Sequence, residues 1–167
     1  MKFHQIFKAA IYEPKKLAAF RLLKIGKVFR YVFLFVTLFT AISFIRYVTG
    51  DAVLFEASPE LLEHAKLVGW LIYPIAFILQ LVISTTYIFL RISIFGYVGV
   101  LLLRLTKRRG EYRFMWNTAA IAVTVPILVT IILDFFPATS NYSMFVTSLI
   151  HVGYIAAAAK YYPKLVK

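Results

Sequence analysis

The chain has no cysteine and few acidic residues, and both features limit the kinds of functional site that it can form. Without cysteine it can form no disulfide, no thiolate metal site, and no thiol nucleophile. Only seven of its 167 residues are aspartate or glutamate. The patterns HExxH, GxSxG, GxGxxG and the P-loop are also absent. We therefore expect no cofactor and no enzymatic activity.

Long apolar runs dominate what is present. Hydrophobic residues make up 62% of the chain, against roughly 45–50% in soluble domains. The stretch from Leu67 to Leu103 carries a single charge, Arg91. About 20 apolar residues suffice to cross the hydrocarbon core of a bilayer. The sequence therefore predicts an all-α integral membrane protein, with no room for a separate catalytic domain.

Four such runs predict four transmembrane helices. The polar segment Thr49–Lys66 separates the first two, and its Ser58-Pro59-Glu60 is typical of a helix start. Three acceptors in this segment, Glu60, Glu63 and His64, lack a fourth metal ligand, so we expect no metal site. The predicted spans are 28–48, 69–90, 114–133 and 142–159.

The charges predict the orientation. With four spans, all but two of the 19 lysines and arginines lie on the side of both termini, and most acids lie opposite. Dividing 67–103 into two spans would remove this bias, so four spans are favoured, with cytoplasmic termini. The stretch Ile92–Leu103 could then continue the second helix, lie along the interface, or pack under the N-terminal segment.

The first 27 residues predict a basic amphipathic helix at the cytoplasmic interface. This segment is too long for the charged part of a cleavable signal peptide. It could simply anchor the first span, or it could recognise a particular lipid. Its apolar stripe at helical spacing consists of Phe3, Ile6, Phe7, Ala10 and Ile11.

The net charge of +12 could indicate a nucleic-acid partner, but the basic residues sit at the membrane boundaries. No basic, aromatic-rich surface exists apart from the spans, so we expect anionic lipids of the cytoplasmic leaflet as partners and no nucleic acid. The expected lipid contacts are Lys15, Lys16, Arg21, Lys24, Lys107, Arg108 and Arg109.

Polar residues near the span centres form a second group of candidates. They could form one structural layer, because polar groups in hydrocarbon need partners. Alternatively, His151 could titrate on a substrate or proton path. Pro126 in the third span also removes the hydrogen bond to the Ala122 carbonyl, and Thr124 and Thr130 are close enough to help satisfy that carbonyl. The midplane candidates are Thr40, Gln80, Thr124 and His151.

Gly153 and Ala157 form a pair of small residues four positions apart in the last span. Such pairs allow close approach of two helices. The contact could be internal, or it could involve a second copy.

Two segments resemble a known family. One is Phe7–Lys27, with Tyr12-Glu13-Pro14, and the other is Tyr112-Arg-Phe-Met-Trp-Asn117 followed by Thr124-Val-Pro126. They resemble small bacterial membrane proteins with a domain of unknown function, sometimes labelled maltodextrin-utilisation membrane proteins. The resemblance implies a bacterial inner membrane and no established biochemistry. Typical members carry an extracytoplasmic domain where this chain has only a short segment.

Two functions remain as hypotheses. The favoured one is a non-enzymatic accessory or scaffold protein, which contacts a membrane protein partner or a second copy. The alternative is a small oligomeric carrier or lipid-handling protein, with its site at the midplane polar residues.

Overall fold

The computed structural model describes residues 3–49 and 69–165, and these ranges are helical with no strand. The predicted all-α class is confirmed. Four helical stretches are long and apolar enough to cross a bilayer. The proposed helix start at Ser58 lies outside the described residues. The four candidate spans are Ile25–Val48, Tyr73–Leu105, Tyr112–Asp134 and Tyr142–Ala159.

Within each described range the helices follow one another with short connections, and two of the helices begin at a proline. Pro14 and Pro137 each occupy the first turn of a helix, where the missing N–H is not needed. A 3-10 turn, Phe20–Leu22, precedes the first span. The α-helices are α1 (Phe3–Tyr12), α2 (Pro14–Ala19), α3 (Ile25–Val48), α4 (Gly69–Leu105), α5 (Tyr112–Ala122), α6 (Thr124–Asp134) and α7 (Pro137–Ala159).

Helix α4 does not end near residue 90, where the sequence placed the end of the second span. It continues without a break to Leu105 and has 37 residues, which corresponds to about 55 Å. Ile92–Leu103 therefore continues the second helix. Because this run is apolar on every side, its periodicity gave no sign of which placement to prefer.

The chain forms two compact units. The first contains the residues up to Phe35 and those from Phe89 onward, and the second is Val36–Ile88. In the second unit the ring of Phe44 packs edge-on against Phe77, with 5.2 Å between centroids. Large apolar side chains such as Ile78 are exposed there, as expected for a surface that faces lipid.

Within the first unit, α1 packs against α5 and α6. Ile6 and Ala10 of the predicted apolar stripe are buried, and the rings of Phe3 and Phe7 stack on Phe35. Much of the stripe is therefore covered by protein. The polar side of α1, including Lys8, is exposed.

Glycine allows a close contact between helices in the first unit. A β-carbon at Gly99 in α4 would lie 2.5 Å from Met115 Cγ and 3.0 Å from Ile155 Cγ2. The side chains of α5 and α7 therefore occupy the space that a larger residue would need. At Gly153 in α7, in contrast, a β-carbon would meet no atom of the described part of the chain within 4 Å.

We expect Gly99→Leu to lower the free energy of unfolding in detergent by about 1–3 kcal/mol, because overpacking forces neighbouring side chains out of place. Gly153→Leu adds the same bulk where space is open, and it serves as the control with little change in stability. Equal losses in the two variants, measured by denaturant unfolding, would contradict this packing.

Candidate functional site

Helix α5 lies at the centre of the first unit, and its polar residues hold the surrounding elements. Residues 117–122 are all buried. The Asn117 side-chain amide donates to the carbonyls of Arg21 and Leu23, at 3.1 Å each. These carbonyls end the 3-10 turn, so Asn117 fixes the junction between the N-terminal segment and the first span. Asn117 Oδ1 is buried without a hydrogen-bond partner in the described part.

Thr124 holds the bend between α5 and α6. Its hydroxyl donates to the carbonyl of Ile121 (2.7 Å) and lies 2.8 Å from the Tyr31 hydroxyl. A hydroxyl has one proton, so Tyr31 donates to Thr124. Thr130 donates to the carbonyl of Pro126 (2.9 Å). The two threonines therefore bond to carbonyls other than that of Ala122, the group we expected them to satisfy.

His151 is fully buried in α7. Its Nε2 lies 3.0 Å from the carbonyl oxygen of Ala119. Since a carbonyl only accepts, Nε2 carries the proton. The ring packs on Phe95 with 4.6 Å between centroids, and Nδ1 has no hydrogen-bond partner among the described residues.

Arg91 is a buried charge that the sequence analysis did not select as a site. It is 7% exposed, and its guanidinium carbon lies 5.7 Å from the centroid of Phe95, the ring that also packs on His151. Charged residues inside spans often serve function. In the sequence, the feature that could have identified Arg91 is that it is the single charge of the apolar stretch Leu67–Leu103.

The other midplane candidates, Thr40 and Gln80, belong to the second unit. Thr40 is buried, and its hydroxyl has no hydrogen-bond partner in the described ranges. Gln80 is half-buried. In the first unit, Thr124 and His151 bond to separate carbonyls, so each has its own structural partner.

The predicted helix-contact pair lies on an open face of α7. Gly153 is exposed and Ala157 is half-buried. Together with Ile150 they line an apolar groove of about 430 Å³, whose other wall includes Ile11 and Tyr12. This open groove gives the pair no close internal helix contact at Gly153.

The predicted lipid-binding residues gather near the connections of the first unit. The loop after α4 and the C-terminal tail are joined by backbone bonds from Arg109 N–H to the Pro163 carbonyl (2.8 Å) and from Leu165 N–H to the Lys107 carbonyl (3.0 Å). The side chain of Arg108 donates to the Tyr162 carbonyl. Of the others, Lys15 and Lys24 are exposed, Arg21 is half-buried, and Lys16 pairs with Glu13 at 2.8 Å.

Tyr162 holds the C-terminal tail against α5. It is 2% exposed, and its hydroxyl lies 2.7 Å from that of Thr118 and 3.2 Å from the Phe114 carbonyl. Burial raises the pKa of Tyr162 above its usual value, although Thr118 and Arg21 partly oppose the shift. The guanidinium of Arg21 lies 4.8 Å from its ring centroid. The signal in sequence was only a tyrosine near a membrane boundary.

Metal ligands are not clustered in the part of the chain that the structure describes. The candidates Glu60, Glu63 and His64 lie outside it.

A family model matches residues 56–159, which is more than half of the chain. The chain belongs to the DUF1189 family, whose function is unknown. The matched range includes Asn117, Thr124 and His151, whereas the N-terminal segment that Asn117 holds precedes it. Neither a curated protein nor a solved structure matches the chain.

Asn117→Asp should lower the free energy of unfolding in detergent by about 2 kcal/mol or more, because two donated bonds are lost and an acceptor then faces two carbonyls. The control is Ser148→Ala, which removes an exposed hydroxyl bonded to the Met144 carbonyl of its own helix, with a change within about 0.5 kcal/mol. If Asn117→Asp unfolds like wild type, the amide does not hold the junction.

Proposed function

We propose that the chain is a non-enzymatic accessory or scaffold protein of the bacterial cytoplasmic membrane. Its exposed α7 face, centred on Gly153 and Ala157, contacts the helix of a membrane protein partner or of a second copy. Both termini lie in the cytoplasm, where the basic residues contact anionic lipids.

The open space at Gly153 carries this proposal. Among the described residues, a β-carbon there meets nothing within 4 Å, whereas Gly99 is tightly covered by Met115 and Ile155. Small residues on an outward face allow another helix backbone to approach, and such packing is a main source of helix association in lipid. Gly153, which the described part of the fold leaves uncovered in the last span, is therefore suited to an external contact.

Backbone contacts support the proposed orientation. The loop after α4 is bonded to the C-terminal tail through Arg109 and Leu165. The side chain of Asn117, in the first third of the candidate span Tyr112–Asp134, is bonded to the N-terminal segment at Arg21 and Leu23. Both terminal segments therefore lie at the same end as that loop, which fits an even number of crossings and cytoplasmic termini.

Single cysteines test the orientation, because the chain contains none of its own. Thr106 is exposed after α4, and Phe136 is exposed between α6 and α7. In intact bacterial cells, we expect a membrane-impermeant maleimide to label Phe136→Cys at once, and Thr106→Cys only after permeabilisation. The reverse pattern would overturn the orientation.

Gly153→Leu should abolish the association while leaving the protein folded, because the added side chain blocks helix approach without meeting its own chain. The measurement is mass spectrometry of the tagged protein extracted with its surrounding lipid and without detergent. Wild type should carry a stoichiometric membrane partner or a second copy, and the mass spectrum distinguishes these.

Two controls make the result specific. Val146→Leu adds bulk at another exposed position of the same helix and should keep the partner, as should His151→Asn. Retention of the partner by Gly153→Leu would overturn the proposed interface.

The alternative, a carrier or lipid-handling protein, is favoured by one observation: Nδ1 of buried His151 has no hydrogen-bond partner among the described residues. It predicts that His151→Asn removes function while Gly153→Leu is tolerated. However, Nε2 of the same ring and the Thr124 hydroxyl are already bonded to α5 carbonyls. The accessory function therefore has the stronger support.

A further inference from the structure

A second cavity, separate from the α7 groove, lies at the end of the first unit where α5 begins and α7 has ended. Its volume is about 540 Å³. Its walls come from three parts of the chain: the 3-10 turn, the loop before α5 with the start of that helix, and the C-terminal tail. The backbone bond from Arg109 to Pro163 holds two of these walls together.

The charged residues lining this cavity are mostly basic. Arg21, Arg109 and Lys164 face one carboxylate, that of Glu111. None of the three basic side chains forms an ion pair within the described part of the chain. In contrast, Lys16 is paired with Glu13, and the Arg108 side chain donates to the Tyr162 carbonyl. Three cations beside one carboxylate leave a net positive charge in the cavity, and its potential attracts anions.

One of these cations is held in place. The guanidinium of Arg21 stacks over the ring of Tyr162, and the carbonyl of Arg21 accepts from Asn117. Tyr162 is itself fixed by Thr118 and Phe114. A preorganised guanidinium loses little freedom when it binds a phosphate, and its planar donors match two phosphate oxygens.

The remaining walls are apolar and include Leu22, Phe114 and Leu165. A cavity with cations and an apolar lining suits a ligand that has both a phosphate and a hydrocarbon part. Since three candidate spans begin or end beside it, at Ile25, Tyr112 and Ala159, the cavity lies at the depth of lipid headgroups.

We propose that this cavity binds the phosphate of an anionic glycerophospholipid, with Arg21, Arg109 and Lys164 as its ligands. The bound lipid ties the N-terminal segment, the α4–α5 loop and the C-terminal tail to one another. This site does not depend on the α7 contact, and it separates specific lipid binding from general attraction to a charged membrane.

The test is native mass spectrometry of the full-length protein, titrated in detergent with dioleoylphosphatidylglycerol or dioleoylphosphatidylcholine. Wild type should retain one phosphatidylglycerol in preference to phosphatidylcholine. We expect Arg109→Gln and Lys164→Gln each to weaken phosphatidylglycerol binding about tenfold, because each removes a charge-assisted bond to phosphate.

Lys15→Gln and Lys24→Gln are the matched controls. Each removes one exposed positive charge from the same end of the unit but outside the cavity, and binding should change less than about twofold, because such charges act through screened solvent. If all four variants lose phosphatidylglycerol binding equally, the binding depends only on surface charge, and the proposed site is wrong. Absence of any preference for phosphatidylglycerol would overturn it as well.

A soluble probe distinguishes the source of the phosphate. If millimolar sn-glycerol 3-phosphate fails to displace the lipid, the site requires the acyl-bearing molecule, as we propose. If glycerol phosphate binds alone and Arg109→Gln abolishes that binding, the phosphate site stands but its ligand comes from solution. Gly153→Leu should bind phosphatidylglycerol like wild type, so failure of the α7 interface would leave this result unchanged.

Discussion

The Asn117 amide is the constraint on which the first unit depends. A turn that ends beside a membrane span leaves carbonyls without helical partners, and such groups are costly to leave unmet in a medium that contains little water. Asn117 meets two of them, at Arg21 and Leu23. The position at which α3 begins and the placement of Arg21 over Tyr162 both follow from where that turn is held.

Small residues make this central position of α5 possible. Ala119, Ala120 and Ala122 are fully buried, so neighbouring elements can come close to the α5 backbone. Polar bonds then fix the helix at two positions, through Thr118 in its second half and Thr124 just after its end. Packing of alanine alone would allow α5 to slide, whereas directional bonds specify one register.

The membrane class and the approximate spans were predictable because they depend on the length and composition of apolar runs. The partners of individual polar residues were not, since a helical repeat shows which residues share a face but not which helix covers it. Thr124 and His151, chosen as midplane polar residues, are both buried, and their bonds go to the carbonyls of Ile121 and Ala119. Gly99 and Gly153 look alike in sequence, and only the fold shows that one is covered.

The length of α4 links this protein to the thickness of its membrane. Its apolar stretch Tyr73–Leu105 has 33 residues, or about 50 Å of helix, whereas the hydrocarbon core measures about 30 Å. Even a tilt of about 40° leaves a hydrophobic mismatch of several ångströms. Each ångström of mismatch carries a small free-energy cost. The helix is therefore accommodated at a lower cost in a thick bilayer than in a thin one.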